Sequence, residues 1–133
     1  GQRVAYVMLD LSRRGQDVRA LVHGLESWII ASLAAFGIAG QRRDGLPGLW
    51  VKNSKSDSGL HKLAAIGIRI SRWVSWHGIA INLDPDLDAF SAIVPCGVHD
   101  GGVTSFADLG VSASMDDLDH VLKTQFPVFF PNP

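Results

Sequence analysis

Two residues of this chain have side chains that could perform nucleophilic thiol chemistry together. Cys96 is the only cysteine among 133 residues, and it stands in Ile93-Val94-Pro95-Cys96-Gly97. A lone cysteine cannot close an intrachain disulfide, so it is either core filler or a reactive thiol. Pro95 and Gly97 speak against core filler. Proline restricts its predecessor and donates no backbone hydrogen bond, and glycine opens unusual dihedrals, so the pair describes a sharply shaped loop. A free thiol titrates near pH ~8.5, and a neighbouring cation raises its thiolate fraction at neutral pH. Lys62 is the candidate cation. It precedes the largely apolar tract Leu63-Ala64-Ala65-Ile66-Gly67-Ile68, a poor setting for an ordinary surface lysine. The competing reading is a strand-end lysine that snorkels to water. On residue pattern alone, snorkelling is the stronger of the two.

Small residues form a second group. Gly67, Gly78 and Ala80 fall on two β-rich runs, and glycine within a strand marks either a bulge or a close approach by a backbone or ligand. The pattern does not separate these. His77 precedes Gly78 and could orient a substrate carbonyl or an amine, but a strand histidine is ordinarily a satisfied structural group, so it stays outside the catalytic set. His23, His61, His99 and His120 lack metal-ligand spacing, and with a single cysteine they do not point to a zinc site. Asp84, Asp86 and Asp88 do not begin an EF-hand. The sixth and twelfth loop positions are Ala89 and Pro95 rather than glycine and glutamate. These aspartates read as a solvated turn. No GxxxxGK[ST] or GxGxxG loop occurs, so nothing points to nucleotide binding.

The elements that must position these residues read as α+β. Arg3 to Leu11 predicts a strand with both faces covered. Asp17 is placed to cap a helix over 18–36, with Val18, Leu21, Val22, Leu25, Ile29, Leu33 and Phe36 at helical spacing and Gly37 as its left-handed stop. Gly45-Leu46-Pro47-Gly48 predicts a turn and Leu49 to Lys52 a short strand. Asn53 to Gly59 has no large apolar residue and reads as a mobile surface loop. Leu63–Ile70 and Val74–Leu83 predict the two arms of an antiparallel hairpin joined near Ser71-Arg72-Trp73. Asp84 to Asp88 predicts a turn, and Leu87 to Ile93 a single helical turn. Ser114-x-x-Asp117 is a capping-box start for a last helix that Pro127 should end, followed by the apolar tail Phe129-Phe130-Pro131.

Composition sets the outer limits. A 47% hydrophobic and 19% charged chain of this length reads as a single globular domain over 1–133. Net charge is −1 and the isoelectric point about 6.6, which leaves no electrostatic footprint for nucleic acid. Arg13-Arg14 and Arg42-Arg43 are the only basic doublets, enough to meet an acidic carrier protein without demanding one. No apolar run approaches the roughly 18–20 residues of a membrane span, and no secretion signal is visible. One unpaired cysteine fits a reducing, cytoplasmic setting.

Four words of the sequence carry a resemblance. Lys62-Leu-Ala-Ala-Ile-Gly-Ile-Arg-Ile70, Trp76-His77-Gly-Ile-Ala-Ile-Asn-Leu83, Pro95-Cys96-Gly97 and Val103-Thr104-Ser105 stand in the order and at the spacing of the lipoyl(octanoyl) transferases of lipoate biosynthesis. The chain resembles that family over roughly residues 1–110. The resemblance implies a biotin/lipoate ligase-like fold, a mixed or antiparallel sheet packed with helices. It implies a Cys96/Lys62 dyad, with Ala65, Ile66, Gly67, Gly78, Ile79 and Ala80 lining the acyl site. The donor would be octanoyl-acyl carrier protein. The acceptors would be lipoyl domains of 2-oxoacid dehydrogenases and the glycine-cleavage H protein, with no metal, ATP, nucleic acid or membrane involved. The family also carries an Arg-Gly-Gly…Thr-Tyr-His-Gly-Pro-Gly-Gln segment, whose last two residues match Gly1-Gln2. The expectation is therefore a fold without its N-terminal strands, with Val4–Leu9 as an exposed edge prone to association. Two rivals remain: a non-catalytic carrier-binding remnant of the fold, and an ATP-dependent lipoate or biotin ligase.

Overall fold

The computed structural model describes residues 1–54, 59–92 and 102–133. Among these, β1 (Gln2–Tyr6), β2 (Gln41–Arg43), β3 (Leu46–Lys52), β4 (Leu60–Ser71) and β5 (Val74–Asn82) form one sheet in the order β1-β5-β4-β3-β2. Every pairing between neighbours is antiparallel. Helices α1 (Val18–Ala34) and α2 (Met115–Phe129) pack on one face, and short 3-10 turns cover Leu11–Arg13 and Leu87–Ala92.

The β4–β5 hairpin is the spine of the sheet. Its arms pair from Ala64↔Ile81 to Ser71↔Val74, and Arg72 and Trp73 close it with φ of 50° and 62°. Two consecutive left-handed residues make a turn whose twist suits adjoining strands, a place where Asn-Gly is the easy choice. Here an arginine and a tryptophan carry it.

Alternation along these strands sends Ala64, Ile66, Ile79 and Ile81 under the helices, and the register slip opposite Leu49 and Trp50 adds Leu63; they meet Leu25, Trp28, Ile29, Leu33, Leu118 and Leu122. Full burial of a leucine or isoleucine side chain is worth about 1.5–3 kcal/mol. Trp28 ties the two helices together, its indole Nε1–H donating to the Leu122 carbonyl at 3.0 Å. Asp17 caps α1 by accepting from the Ala20 N–H, and Gly37 supplies the left-handed stop at φ 74°. Ser114 and Asp117 form the capping box of α2. The Ser114 N–H and hydroxyl hold the Asp117 carboxyl below its ordinary value of 3.8.

Several sequence expectations need correction. The first strand ends at Tyr6, and its second face is open: Val4, Tyr6 and Met8 are 50%, 69% and 60% exposed. Past Tyr6 the chain bends but stays against β5, with Val7 N–H donating to His77 and Ser75 exchanging bonds with Leu9 and Val7. Helix α1 stops at Ala34, because the Phe36 and Gly37 N–H groups already turn back to Leu33 and Ala34. The turn expected at 45–48 lies earlier, around Asp44-Gly45, and Pro47 and Gly48 belong to β3. The β2–β3 register slips between Gln41 and Arg43, where a proline without an N–H does least harm. Pro127 lies inside α2 rather than at its end. The next turn persists because Phe126 and Phe130 both stack on Trp28, and the Phe130 N–H reaches the Phe126 carbonyl at 2.9 Å. Asn53, expected in a surface loop, is only 6% exposed. Of the rest of that loop, residues 55–58 lie outside the described residues.

Candidate functional site

Lys62 is the third residue of β4 and faces away from the helices. It pairs with Trp50 beside a slip in the β3–β4 register between Leu49 and Trp50. Its main chain is held on the other side as well. The N–H donates to the Gly102 carbonyl, and the carbonyl accepts from the Thr104 N–H, each at 2.9 Å. The residue is 8% exposed, and Nζ lies 5.3 Å from the centroid of the buried Trp50 ring, within cation–π range. Room for the lysine stem comes from Gly48, at φ 135°. A Cβ at that position would stand 2.9 Å from Lys62 Cε and 2.7 Å from the Ala64 carbonyl oxygen. The snorkelling lysine favoured by pattern alone is therefore not what the fold holds.

Cys96, with Pro95 and Gly97, lies outside the described residues. The chain is described again at Gly102, six positions after Cys96 in sequence, where it bonds directly to Lys62.

The six small or apolar residues carried over by resemblance fall opposite one another. Ala65 pairs with Ala80, Ile66 with Ile79 and Gly67 with Gly78. Ile66 and Ile79 belong to the helix-covered face, Ile79 fully so and Ile66 packed partly buried against the core. Ala65 and Gly67 are exposed on the open face. The two glycines differ in what they permit. At Gly67 an added Cβ meets nothing within 4 Å, whereas at Gly78 it would lie 2.0 Å from the Ala5 carbonyl oxygen. Gly78 is thus required by the close approach of β1, and Gly67 leaves open space above the strand. On the β1 side, Val4 pairs with Ala80 and Tyr6 with Gly78. The open face is a shallow trough, low along Ala65, Gly67 and Ala80, with Lys62 and Trp50 at one end.

A buried polar network supports the Lys62 end, and sequence reasoning missed it. The Asn53 Nδ2–H₂ donates to Asp108 at 2.8 Å and to Thr104 Oγ1 at 3.3 Å, while the Thr104 hydroxyl donates to Asp108 at 2.7 Å. Asn82 donates to the Thr104 carbonyl at 3.1 Å and accepts from Gln2 at 2.9 Å. These bonds tie residues 102–108 to the ends of β3 and β5, beside Lys62. The word Val103-Thr104-Ser105 was the available signal, but its partners lie 51 and 22 positions away, beyond the reach of any local pattern.

His77 is exposed, with φ 64°, and its ring meets that of Tyr6 edge-on at 6.1 Å. Asp84, Asp86 and Asp88 are all exposed, and among the described residues no cluster of His, Cys, Asp or Glu is placed to hold a metal ion. Among the same residues, no helix is long and apolar enough to cross a membrane.

An octanoyltransferase of Cereibacter sphaeroides (strain ATCC 17029 / ATH 2.4.9) is 54% identical over 138 residues, covering 99% of this chain and 63% of that protein. An octanoyltransferase of Rhodopseudomonas palustris (strain BisA53) is 58% identical over 133 residues, covering 98% of this chain and 57% of that protein. The chain thus spans less than two thirds of the length of these relatives. Among solved structures, apo biotin protein ligase from Aquifex aeolicus superposes with a TM-score of 0.70 at 13% identity, covering 98% of this chain and 53% of that one. The bi-partite lipoate protein ligase of Thermoplasma acidophilum gives a TM-score of 0.60 at 16% identity, covering 97% and 49%. These two likenesses establish the biotin/lipoate ligase-like fold. The model of the lipoyl protein ligase A/B catalytic domain matches residues 1–127, and with that match the chain belongs to this family.

Proposed function

We propose that residues 1–133 act as one catalytic domain of an octanoyltransferase working in the cytoplasm through a cysteine thioester. The observation that carries this reading is the buried Lys62 on the open face, main-chain bonded to Gly102, which follows the sole cysteine by six positions in the sequence. The identity of 54–58% to octanoyltransferases supports it.

In the first half-reaction the Cys96 thiolate attacks the carbonyl carbon of the octanoyl thioester on acyl carrier protein. The carrier's C–S bond breaks, its thiolate leaves and takes a proton, and the octanoyl group remains on Cys96 as a thioester. In the second, a lysine amine of a lipoyl domain, or of the glycine-cleavage H protein, attacks that thioester. The amine loses a proton, the Cys96–acyl bond breaks, and an amide forms. Lys62 stabilises the thiolate and passes the proton. Each step develops an oxyanion that backbone N–H donors must meet. Thioester exchange is close to balanced and the amide is the stable product, so the chemistry requires no ATP or metal. Ala65, Gly67 and Ala80 form the floor on which the acyl chain lies, and Ile66, Gly78 and Ile79 contribute main chain to it while the two isoleucine side chains anchor the floor to the core.

Mass spectrometry of the protein after incubation with octanoyl-acyl carrier protein, without ATP, tests this. The expected result is one octanoyl group on Cys96, lost in Cys96→Ser. In Lys62→Met, which retains bulk without charge, adduct formation slows by on the order of tenfold, as the thiolate fraction falls towards that of a free thiol. Transfer by Cys96→Ser, or an adduct that forms only with ATP, overturns the reading. The second result would identify a ligase.

A further inference from the structure

At the end of the trough away from Lys62 lies a cavity of about 430 Å³ lined by Tyr6, Met8, Arg69, Ser71, Trp76 and His77. Its construction departs from ordinary strand geometry. Successive side chains on a strand point to opposite faces, and His77 pairs with Ile68, a residue packed against the helix-side core. Its φ of 64° turns the ring outward instead, edge-on against Tyr6. Trp76 and His77 therefore both line the open-face cavity, although they are consecutive. A left-handed backbone is uncommon for histidine and costs conformational energy.

We infer that Tyr6, Trp76 and His77 form the end wall of the acyl trough and set the length of the acyl chain it accepts. This rests on the acyl-transfer reading above. From Ala65 to Arg69, which pairs with Trp76, the trough runs four residues, roughly 13 Å at ~3.3 Å per residue. An extended octanoyl chain, with seven C–C bonds of about 1.5 Å in zigzag, spans roughly 9 Å. With its carbonyl carbon over Ala65 in this inference, its terminal methyl group reaches the near edge of the rings. Four further carbons add about 5 Å and drive a dodecanoyl chain into them. The rings supply an apolar stop, and Gly67 keeps the floor open up to it.

The test loads the protein from an equimolar mixture of S-octanoyl, S-decanoyl and S-dodecanoyl pantetheine and reads the adducts on Cys96 by mass. In Tyr6→Ala/His77→Gly the dodecanoyl-to-octanoyl ratio rises at least tenfold over the unsubstituted protein, and Tyr6→Phe, which keeps the ring, leaves the ratio within twofold. Glycine suits the left-handed backbone at position 77. Because the ratio is internal to each sample, any loss of folded protein cancels. A second readout uses Cys96→Ser titrated with S-octanoyl pantetheine. The amide and indole N–H signals of Trp76 and the amide of His77 shift, and more strongly with the dodecanoyl probe. An unchanged ratio in the double variant, with octanoyl loading present, overturns the end wall and leaves the transferase reading standing. Absence of a Cys96 adduct at every length in the unsubstituted protein overturns both.

Discussion

The two faces of this sheet are built from the same strands by opposite rules. On the helix-covered face, Leu63, Ile79 and Ile81 are large, branched and at most 3% exposed, and they touch α1 and α2. On the open face, the same strands present Ala65, Gly67 and Ala80, beyond which stand Tyr6 and Trp76 at 69% and 48% exposure. One face fills space and the other keeps it empty. Close packing decides the sequence of the first, because an interior at crystal-like density registers the loss of a single methylene. On the second, removing side chains from a strand sacrifices cross-strand contacts and adds backbone entropy. A fold accepts that loss where something else is to lie on the surface.

The comparison is broken most severely from the covered side. Ile81 is fully buried between β1 and β4, pairing with Arg3 and Ala64. Ile81→Ala should lower unfolding stability by about 2–5 kcal/mol, the usual range for a buried isoleucine cut to alanine. Urea unfolding checks this, and the midpoint should fall without a change in slope. A loss below about 1 kcal/mol would mean that this face is not the closely packed one.

Gly78 probes the seam between strands. An added methyl group would sit 2.0 Å from the Ala5 carbonyl oxygen and 3.0 Å from the Val7 nitrogen. Both contacts are backbone, which cannot swing aside as a side chain can, so β1 itself must shift. Gly78→Ala should cost about 1–3 kcal/mol, in the range of overpacking. Hydrogen exchange should place the damage in the β1–β5 ladder, with faster exchange at Val7 N–H, bonded to His77 at 2.7 Å. Uniform acceleration through α1 instead would show that the glycine serves the core and not the seam.

The sequence made the covered face legible, and much of the frame with it. The apolar spacing of α1, the Asp17 cap, the Gly37 stop, the Ser114–Asp117 box and the β4–β5 hairpin are all local signals, and all stand in the fold. Boundaries failed where tertiary contacts overrode local rules. Pro127 did not end α2 because Phe126 and Phe130 pack on Trp28 of the neighbouring helix α1, remote in sequence. The turn expected over 45–48 lies earlier because Pro47 and Gly48 are drawn into β3, beside the interruption of the β2–β3 ladder. The candidate site was read only through resemblance, and its Cys96 lies outside the described residues. Residue pattern alone favoured a solvated Lys62, and the Trp50 ring, Gly48 and the Asn53–Thr104–Asp108 network that surround it come from two other segments, 48–53 and 104–108. The outward turn of His77 has no local signature either.

The mildest substitution in energy is also the sharpest test of the open face. At Gly67 an added side chain meets no atom within 4 Å, its backbone is not left-handed, and its partner across the hairpin is another glycine. Valine there removes the conformational freedom of glycine from the unfolded chain and favours the strand, effects worth about 0.5–1 kcal/mol in the direction of stability. If the open face existed only to be solvated, Gly67→Val would be neutral or beneficial in every assay. If the acyl chain lies across it, two added methyl groups stand where methylenes must go. The expected outcome is an unfolding midpoint equal to or above that of the unsubstituted protein, with octanoyl loading of Cys96 reduced by on the order of tenfold, about 1.4 kcal/mol of lost binding. Loading at the original rate in a protein of equal stability would show that Gly67 is not beneath the acyl chain, and would move the substrate off this face.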